Sequence, residues 1–409
     1  VTFALAGLSL PILAAELSGH YYHPRLLALT HVLTLGWITV AIFGATYQLV
    51  PVVIERPLWS DRVARWQLPG FAAGIAGMVG HFWLGRWDGL AWAATLVGAG
   101  ALTHVANVAL SLPRVVRWTF TVWSLALALA GLGLTVALGI TLAATHGRPV
   151  FPGGPLGAVH AHFHLALLGW IAPMILGVSA RVYPMFLVAT EPGPVSAGIQ
   201  VGGLGLGVPA IVTGLLLDRS ALIVTGALVV AGALAVHVAW VGRLARERRR
   251  PTLDWGLRFA FSGTACLVIA TALGLALALG IAAGPRASLA YAVLALGGWV
   301  SLTIAGMTLK IVPFLVWYRV YAPHAGRQPV PTLAQLAWPT AEGLAYAGLT
   351  GGVLLLAGAV AAAVPIAIET AGIAVAIGAL ALVAALGRTL LHLRPGTVAR
   401  RAAPLRVRP

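Results

Sequence analysis

Three histidines alternate along one apolar stretch, His160-Ala161-His162-Phe163-His164. Neutral imidazole is a good ligand for iron and other transition metals. On a helix, residues four apart share a face and residues two apart point nearly opposite ways. His160 and His164 should therefore face one way and His162 the other, so that one helix could serve cofactors on both sides. A further histidine, His31, sits in an earlier apolar stretch. Histidines from two neighbouring helices are the arrangement that holds a low-spin haem. The plain alternative for each is a ring satisfied by a backbone carbonyl in a tight bundle.

The elements that must position these residues are membrane helices. The chain has 409 residues, of which 60% are hydrophobic and 9% charged. A soluble domain carries about 25% charged residues. The net charge of +16 is not a nucleic-acid signature, because the arginines sit in loops between apolar runs. Length and hydropathy predict about twelve transmembrane helices, at roughly 2–18, 26–53, 68–85, 89–111, 118–145, 158–188, 197–217, 221–242, 257–283, 287–318, 337–362 and 366–393. The chain opens in an apolar run, read as a first span rather than a cleaved leader. Loops after even-numbered helices, with the C-terminal tail, hold 18 arginines against five in the other loops. The positive-inside rule then puts both termini in the cytoplasm of a bacterial or archaeal cell, with the histidine run toward the outer face. The single cysteine, Cys266, excludes disulfides, thiolate clusters and covalent CxxCH haem attachment.

Three of the helices resemble one another. Thr30-His31 precedes Gly36-Trp37, Gly44 and Pro51. Phe163-His164 precedes Gly169-Trp170, Gly177 and Pro184, and Ala292-Val293 precedes Gly298-Trp299, Gly306 and Pro313. The spacing is constant, so the chain reads as one transmembrane domain of three pseudo-symmetric four-helix units, approximately 1–117, 118–250 and 251–409. Four residues after the second glycine come Gln48, Arg181 and Lys310. The fourth helix of each unit carries His104, His237 or His392 near its inner end, where snorkelling to the interface is expected.

With these motifs in place, His162-Phe-His164-x-x-x-Leu168-Gly169-Trp170 resembles the ligand helix of subunit I of the haem-copper oxidases, most nearly the cytochrome-cbb type. The resemblance implies twelve helices in three arcs and haem toward the outer face. It also implies that the pair lies on helix ten, with copper held by histidines of helices six and seven. Here the pair lies on helix six, helix ten has Val293 at the ligand position, and 197–217 holds no histidine. Copper is therefore not expected. Glu16, Glu342 and Glu369 all lie near span ends, so no proton-pumping relay is visible.

The expected cofactor is one or two b-type haems, with His31, His164 and His162 as candidate iron ligands. His160 and Arg25 are candidate propionate contacts, and Trp37 and Trp170 are candidate porphyrin-packing residues. The alternatives are a solvated His160, Arg25 as an interfacial anchor and ordinary helix packing for the tryptophans. His81 is a lesser candidate ligand. Arg181 and Lys310 need charge compensation, from a structural partner or a quinone headgroup. The function expected is electron transfer within a respiratory or redox complex. It would involve a partner subunit (a cytochrome or an iron–sulfur protein) or quinone in the lipid bilayer, and no nucleic acid. The competing readings are a terminal oxidase or nitric-oxide reductase with a non-standard site, and a haem-free transporter or scaffold.

Overall fold

Apolar runs with small residues and few charges can satisfy their backbone in lipid only as helices, and the described residues build twelve. In the computed structural model, which describes residues 1–249 and 252–394, they are α1 (Thr2–Ile12), α2 (Pro24–Val53), α3 (Asp61–Trp83), α4 (Leu90–Ala109), α5 (Phe120–Ala144) and α6 (Gly154–Leu187). They continue as α7 (Pro194–Leu217), α8 (Ser220–Glu247), α9 (Trp255–Ala278), α10 (Pro285–Val320), α11 (Pro339–Ala362) and α12 (Pro365–Leu390). No strand occurs among the described residues. Arg250 and the tail arginines Arg400, Arg401, Arg406 and Arg408, used above for sidedness, lie outside them.

Ten of the twelve are long and apolar enough to cross a membrane. The exceptions are α1, which has 11 residues and resumes as Ala14–Leu17 after Leu13, and α3. The start of α3 is polar: Ser60 caps it by accepting from the Val63 amide, and Asp61, Arg62 and Arg65 follow. The chain is thus an all-α, multi-pass membrane protein.

Successive helices pack as neighbours around the bundle, and α1 closes it against α12. The long helices α2, α6 and α10 carry the repeated motif. Of these α6 is the most enclosed, with 83% of its apolar window buried. Each contains a π-helical segment: Thr34–Thr39, Leu165–Ile171 and Val293–Ser301. These widened turns begin at or just after His31, His164 and Val293 and span the Gly-Trp pair. The motif therefore has a backbone counterpart, and π-turns inside α-helices often mark functional positions. Glycine lets neighbouring helices touch the repeated motif closely. A Cβ on Gly131 of α5 would stand 2.0 Å from the Gly169 carbonyl oxygen, and one on Gly306 of α10 would stand 2.3 Å from that of Gly256.

Candidate functional site

Helices α2, α6 and α10 meet at three junctions whose ligand positions correspond. At the α2/α6 junction, His31 reaches from α2, where its ring contacts Phe82 at 4.8 Å. Its Nδ1 lies 2.7 Å from the Leu27 carbonyl one turn back. That contact makes Nδ1 the protonated nitrogen and leaves the Nε2 lone pair available. From α6, His162 sits against Gly139, where a Cβ would come within 2.9 Å of its Cε1. His162 and His31 both line the cavity between these helices. The buried Nδ1 of His162 has no hydrogen-bond partner of normal geometry, although the Thr135 carbonyl lies beside the ring.

At the α6/α10 junction, His164 repeats the geometry of His31, with Nδ1 2.8 Å from the His160 carbonyl. It faces Tyr291, whose ring stacks on it at 5.8 Å. Tyr291 stands two residues before Val293, as His162 stands two before His164. The third junction is apolar: Leu29 and Val293 join one hydrophobic cluster. The three junctions therefore present two histidines, a histidine with a tyrosine, and no ligating group.

One cavity of about 690 Å³ joins the first two junctions. This falls within the roughly 300–1,000 Å³ typical of small-molecule and cofactor sites. It is lined by residues of α2–α5 on one side of α6 and α7–α10 on the other, including all three histidines of the run, His31, Trp170 and Tyr291. Most of the lining is aliphatic or aromatic. No group of three or more His, Cys, Asp or Glu is gathered as a metal cage among the described residues. The donor set suits a planar apolar group that brings its own equatorial ligands: imidazoles locked through Nδ1, one buried bare imidazole nitrogen and apolar walls. Haem fits that description.

Several expectations shift. Equal repeat position suggests pairing His31 with His164; the structure places His31, His162 and His164 around one cavity, with His164 also facing Tyr291. Each unit's first ligand position faces the next unit, and the two-residue step returns His162 to the preceding one. His160 Nε2 lies 2.7 Å from the Tyr21 hydroxyl, a contact that braces the α1–α2 loop at the edge of the cavity. Arg25 pairs with Glu16 at 3.0 Å and lies 5.7 Å from the Trp83 ring, which satisfies the charge foreseen for a propionate. Trp37 stacks on Phe3 of α1 at 4.6 Å and is not among the cavity-lining residues, whereas Trp170 is buried and lines it. His81 lies against Gly89 at the α3–α4 turn.

Lys310 pairs with Asp254 at 2.5 Å and Arg181 with Glu191 at 2.8 Å, which supplies the compensation that both needed. His104, His237 and His392 do not snorkel: they are 0%, 2% and 8% exposed. Each is held inside the bundle by helix packing. At the outer rim the His146 ring stacks on Trp87 at 3.7 Å. Partial burial there lowers its proton affinity. Sequence reasoning missed Tyr21 and Tyr291. The 129-residue offset applied to His162 would have found Tyr291.

No family model matches the sequence, and no curated protein matches it. Among solved structures, a haem-copper terminal oxidase dimer determined by cryo-electron microscopy is similar with a TM-score of 0.63 and 14% identity. The match covers 97% of this chain and 85% of that one. The chain thus has a haem-copper oxidase-like fold.

Proposed function

We propose that this protein is a membrane-embedded b-type haem subunit of a respiratory or redox complex, passing electrons through haem held by His31 and His162. The observation that carries the reading is that both rings line one apolar cavity, His31 locked through Nδ1 and His162 with a buried Nδ1 that makes no hydrogen bond of normal geometry. Iron held by two imidazoles supplies one-electron chemistry with no open position. Leu27 fixes the His31 tautomer, Gly139 makes room for the His162 ring, and the apolar lining excludes water. Electrons then come from, or go to, a partner subunit or membrane quinone, because the loops between the helices are short. The membrane is the bacterial or archaeal cytoplasmic membrane, with both termini inside.

A second reading rests on the α6/α10 junction. His164 has the same locked geometry as His31 but faces a tyrosine rather than a histidine. A second haem held there by one histidine would keep an open position for oxygen or nitric oxide.

The test is a reduced-minus-oxidised absorbance spectrum of the purified protein, with and without carbon monoxide. A sharp α band unmoved by carbon monoxide is expected. It should be lost or broadened in His31→Gln and in His162→Gln and kept in His164→Gln. A component that shifts with carbon monoxide and vanishes in His164→Gln supports the second reading. An α band that survives the His31/His162 double substitution refutes the assignment. Absence of haem from the intact protein with its partners refutes both and leaves a transporter or scaffold.

A further inference from the structure

The three inner-end histidines occupy corresponding places, and two of them show how such a ring is normally satisfied. His237 Nδ1 lies 3.0 Å from the Gln200 side-chain oxygen, and His392 Nδ1 lies 2.6 Å from the Tyr321 hydroxyl. His104 is the most buried of the three, and both its ring nitrogens lack a partner. One of these nitrogens must carry a hydrogen and the other a lone pair. A buried polar group left unpaired costs about 1–3 kcal/mol, so such a group needs an explanation.

His104 has a particular location. Its ring stacks on Phe43 at 3.9 Å, contacts Tyr47 at 4.8 Å and meets the edge of Trp170 at 6.3 Å. Trp170 lines the cavity, as does Ala101, which precedes His104 by three residues on α4. His104 therefore lies under the floor of the α2/α6 junction. On its other side, buried polar groups continue along α4. Asn107 bonds both the amide and the carbonyl of Ser60, and the Ser111 hydroxyl receives the Trp59 amide. The Tyr47 hydroxyl donates to the Gln67 side-chain oxygen, while the Gln67 amide nitrogen is buried without a partner. Residues 59 and 60 belong to the arginine-bearing loop after α2. A polar track thus runs from that loop to a bare imidazole beneath the candidate cofactor site.

We propose that His104 is a proton-exchanging site coupled to the electron occupancy of the α2/α6 junction. This rests on the electron-transfer reading above. One electron entering from the redox partner adds one negative charge to a closed, low-dielectric interior. One proton, drawn from the aqueous phase at the arginine-bearing end, binds the free ring nitrogen of His104, and both leave when the electron is passed on. A lone charge in such surroundings is costly, and an opposite charge nearby offsets the cost. Of the aromatic rings packed on His104 among the described residues, only Tyr47 is ionisable. Gln67 and Asn107, on the flanking helix and on α4 itself, are neutral and can relay hydrogen bonds.

The experiment is a redox titration of the haem absorbance across pH, on the full chain with its partners, for wild type, His104→Phe and His104→Gln. One proton per electron gives a slope of about 59 mV per tenfold change in proton activity. The wild type is expected to approach that slope over part of the range. His104→Phe, which refills the stack with an apolar ring, should flatten it while leaving the α band in place. His104→Gln tests the same position should the phenylalanine variant fail to fold. An unchanged slope in a folded variant overturns the proposal.

A second measurement does not need haem. Ring-¹⁵N-histidine resonances, assigned by their loss in His104→Gln, should show exchange of the His104 ring proton with water. A ring proton with no solvent exchange overturns the proposal. Absence of the haem spectrum with exchange present instead overturns the electron-transfer reading, and the coupling with it, and leaves only proton exchange at His104.

Discussion

Replacing Gly131 with alanine tests whether helix contact at the repeated motif sets the geometry of the site. The new Cβ would lie 2.0 Å from the Gly169 carbonyl oxygen, 2.3 Å from its carbon and 3.0 Å from the Trp170 nitrogen. All three are backbone atoms, so no side-chain rotation relieves the overlap. Reaching even 3.0 Å requires about 1 Å of separation between α5 and α6, and overpacking of this kind costs about 1–3 kcal/mol. The displaced segment is the π-helical stretch of α6, which follows His162 and His164 and includes Trp170. Haem retention should therefore fall along with stability. At Gly133, two residues further along the same helix, an added Cβ would have nothing within 4 Å. Gly133→Ala should be neutral or stabilising by up to about 1 kcal/mol, because alanine favours the helix. Thermal unfolding in detergent, followed with the haem-to-protein absorbance ratio, reads both effects. Equal behaviour of the two variants, or a Gly131→Ala protein with wild-type stability and haem content, would refute the packing argument.

Two more outcomes follow from ion and ring pairs. Lys310 is 16% exposed in its side chain and Asp254 40%, so removing the carboxylate strands the more buried charge. Asp254→Asn keeps a residue able to cap α9. It should nonetheless destabilise more than Lys310→Met, by about 1–3 kcal/mol, since an unpaired buried charge is worse than a hydrated one. Thermal midpoints of the two variants would show this, and the reverse order would contradict it. At the outer rim, partial burial lowers the proton affinity of His146 below its ordinary value of 6.5. The unfolded chain then binds more protons than the folded one between the lowered value and 6.5. The stability contributed by the neutral ring is full above that range and is lost as pH falls through it. The thermal midpoint of the wild type should drop more than that of His146→Gln between about pH 7.5 and about pH 5.5.

The membrane helices and their threefold motif were legible because hydropathy and constant spacing are local properties of sequence. Gly36-Trp37, Gly169-Trp170 and Gly298-Trp299 announced three corresponding helices. The π-turns they occupy did not show, since widening a helix by one hydrogen-bond register leaves no residue signature here. Candidate ligands were legible by type. Their pairing was not, because it depends on which side of α6 each neighbouring helix packs.

The same physics accounts for the inner histidines, for which an expected interfacial position gave way to burial. Position near a helix end suggests access to water, but His104 is enclosed by Phe43 and Trp170, and His237 and His392 by their own partners. Arg25 has a partner for a related reason: Glu16, nine residues earlier, folds back within 3.0 Å. In each case the partner was set by chain path. Corresponding positions in a repeat share a local geometry, as the Nδ1 contacts of His31 and His164 do. Their surroundings diverge through what the neighbouring units present: a tyrosine stacked on His164 and an apolar cluster with Leu29 around Val293. Differentiation of three similar junctions by that single facing residue lets one repeated motif present three different side-chain chemistries.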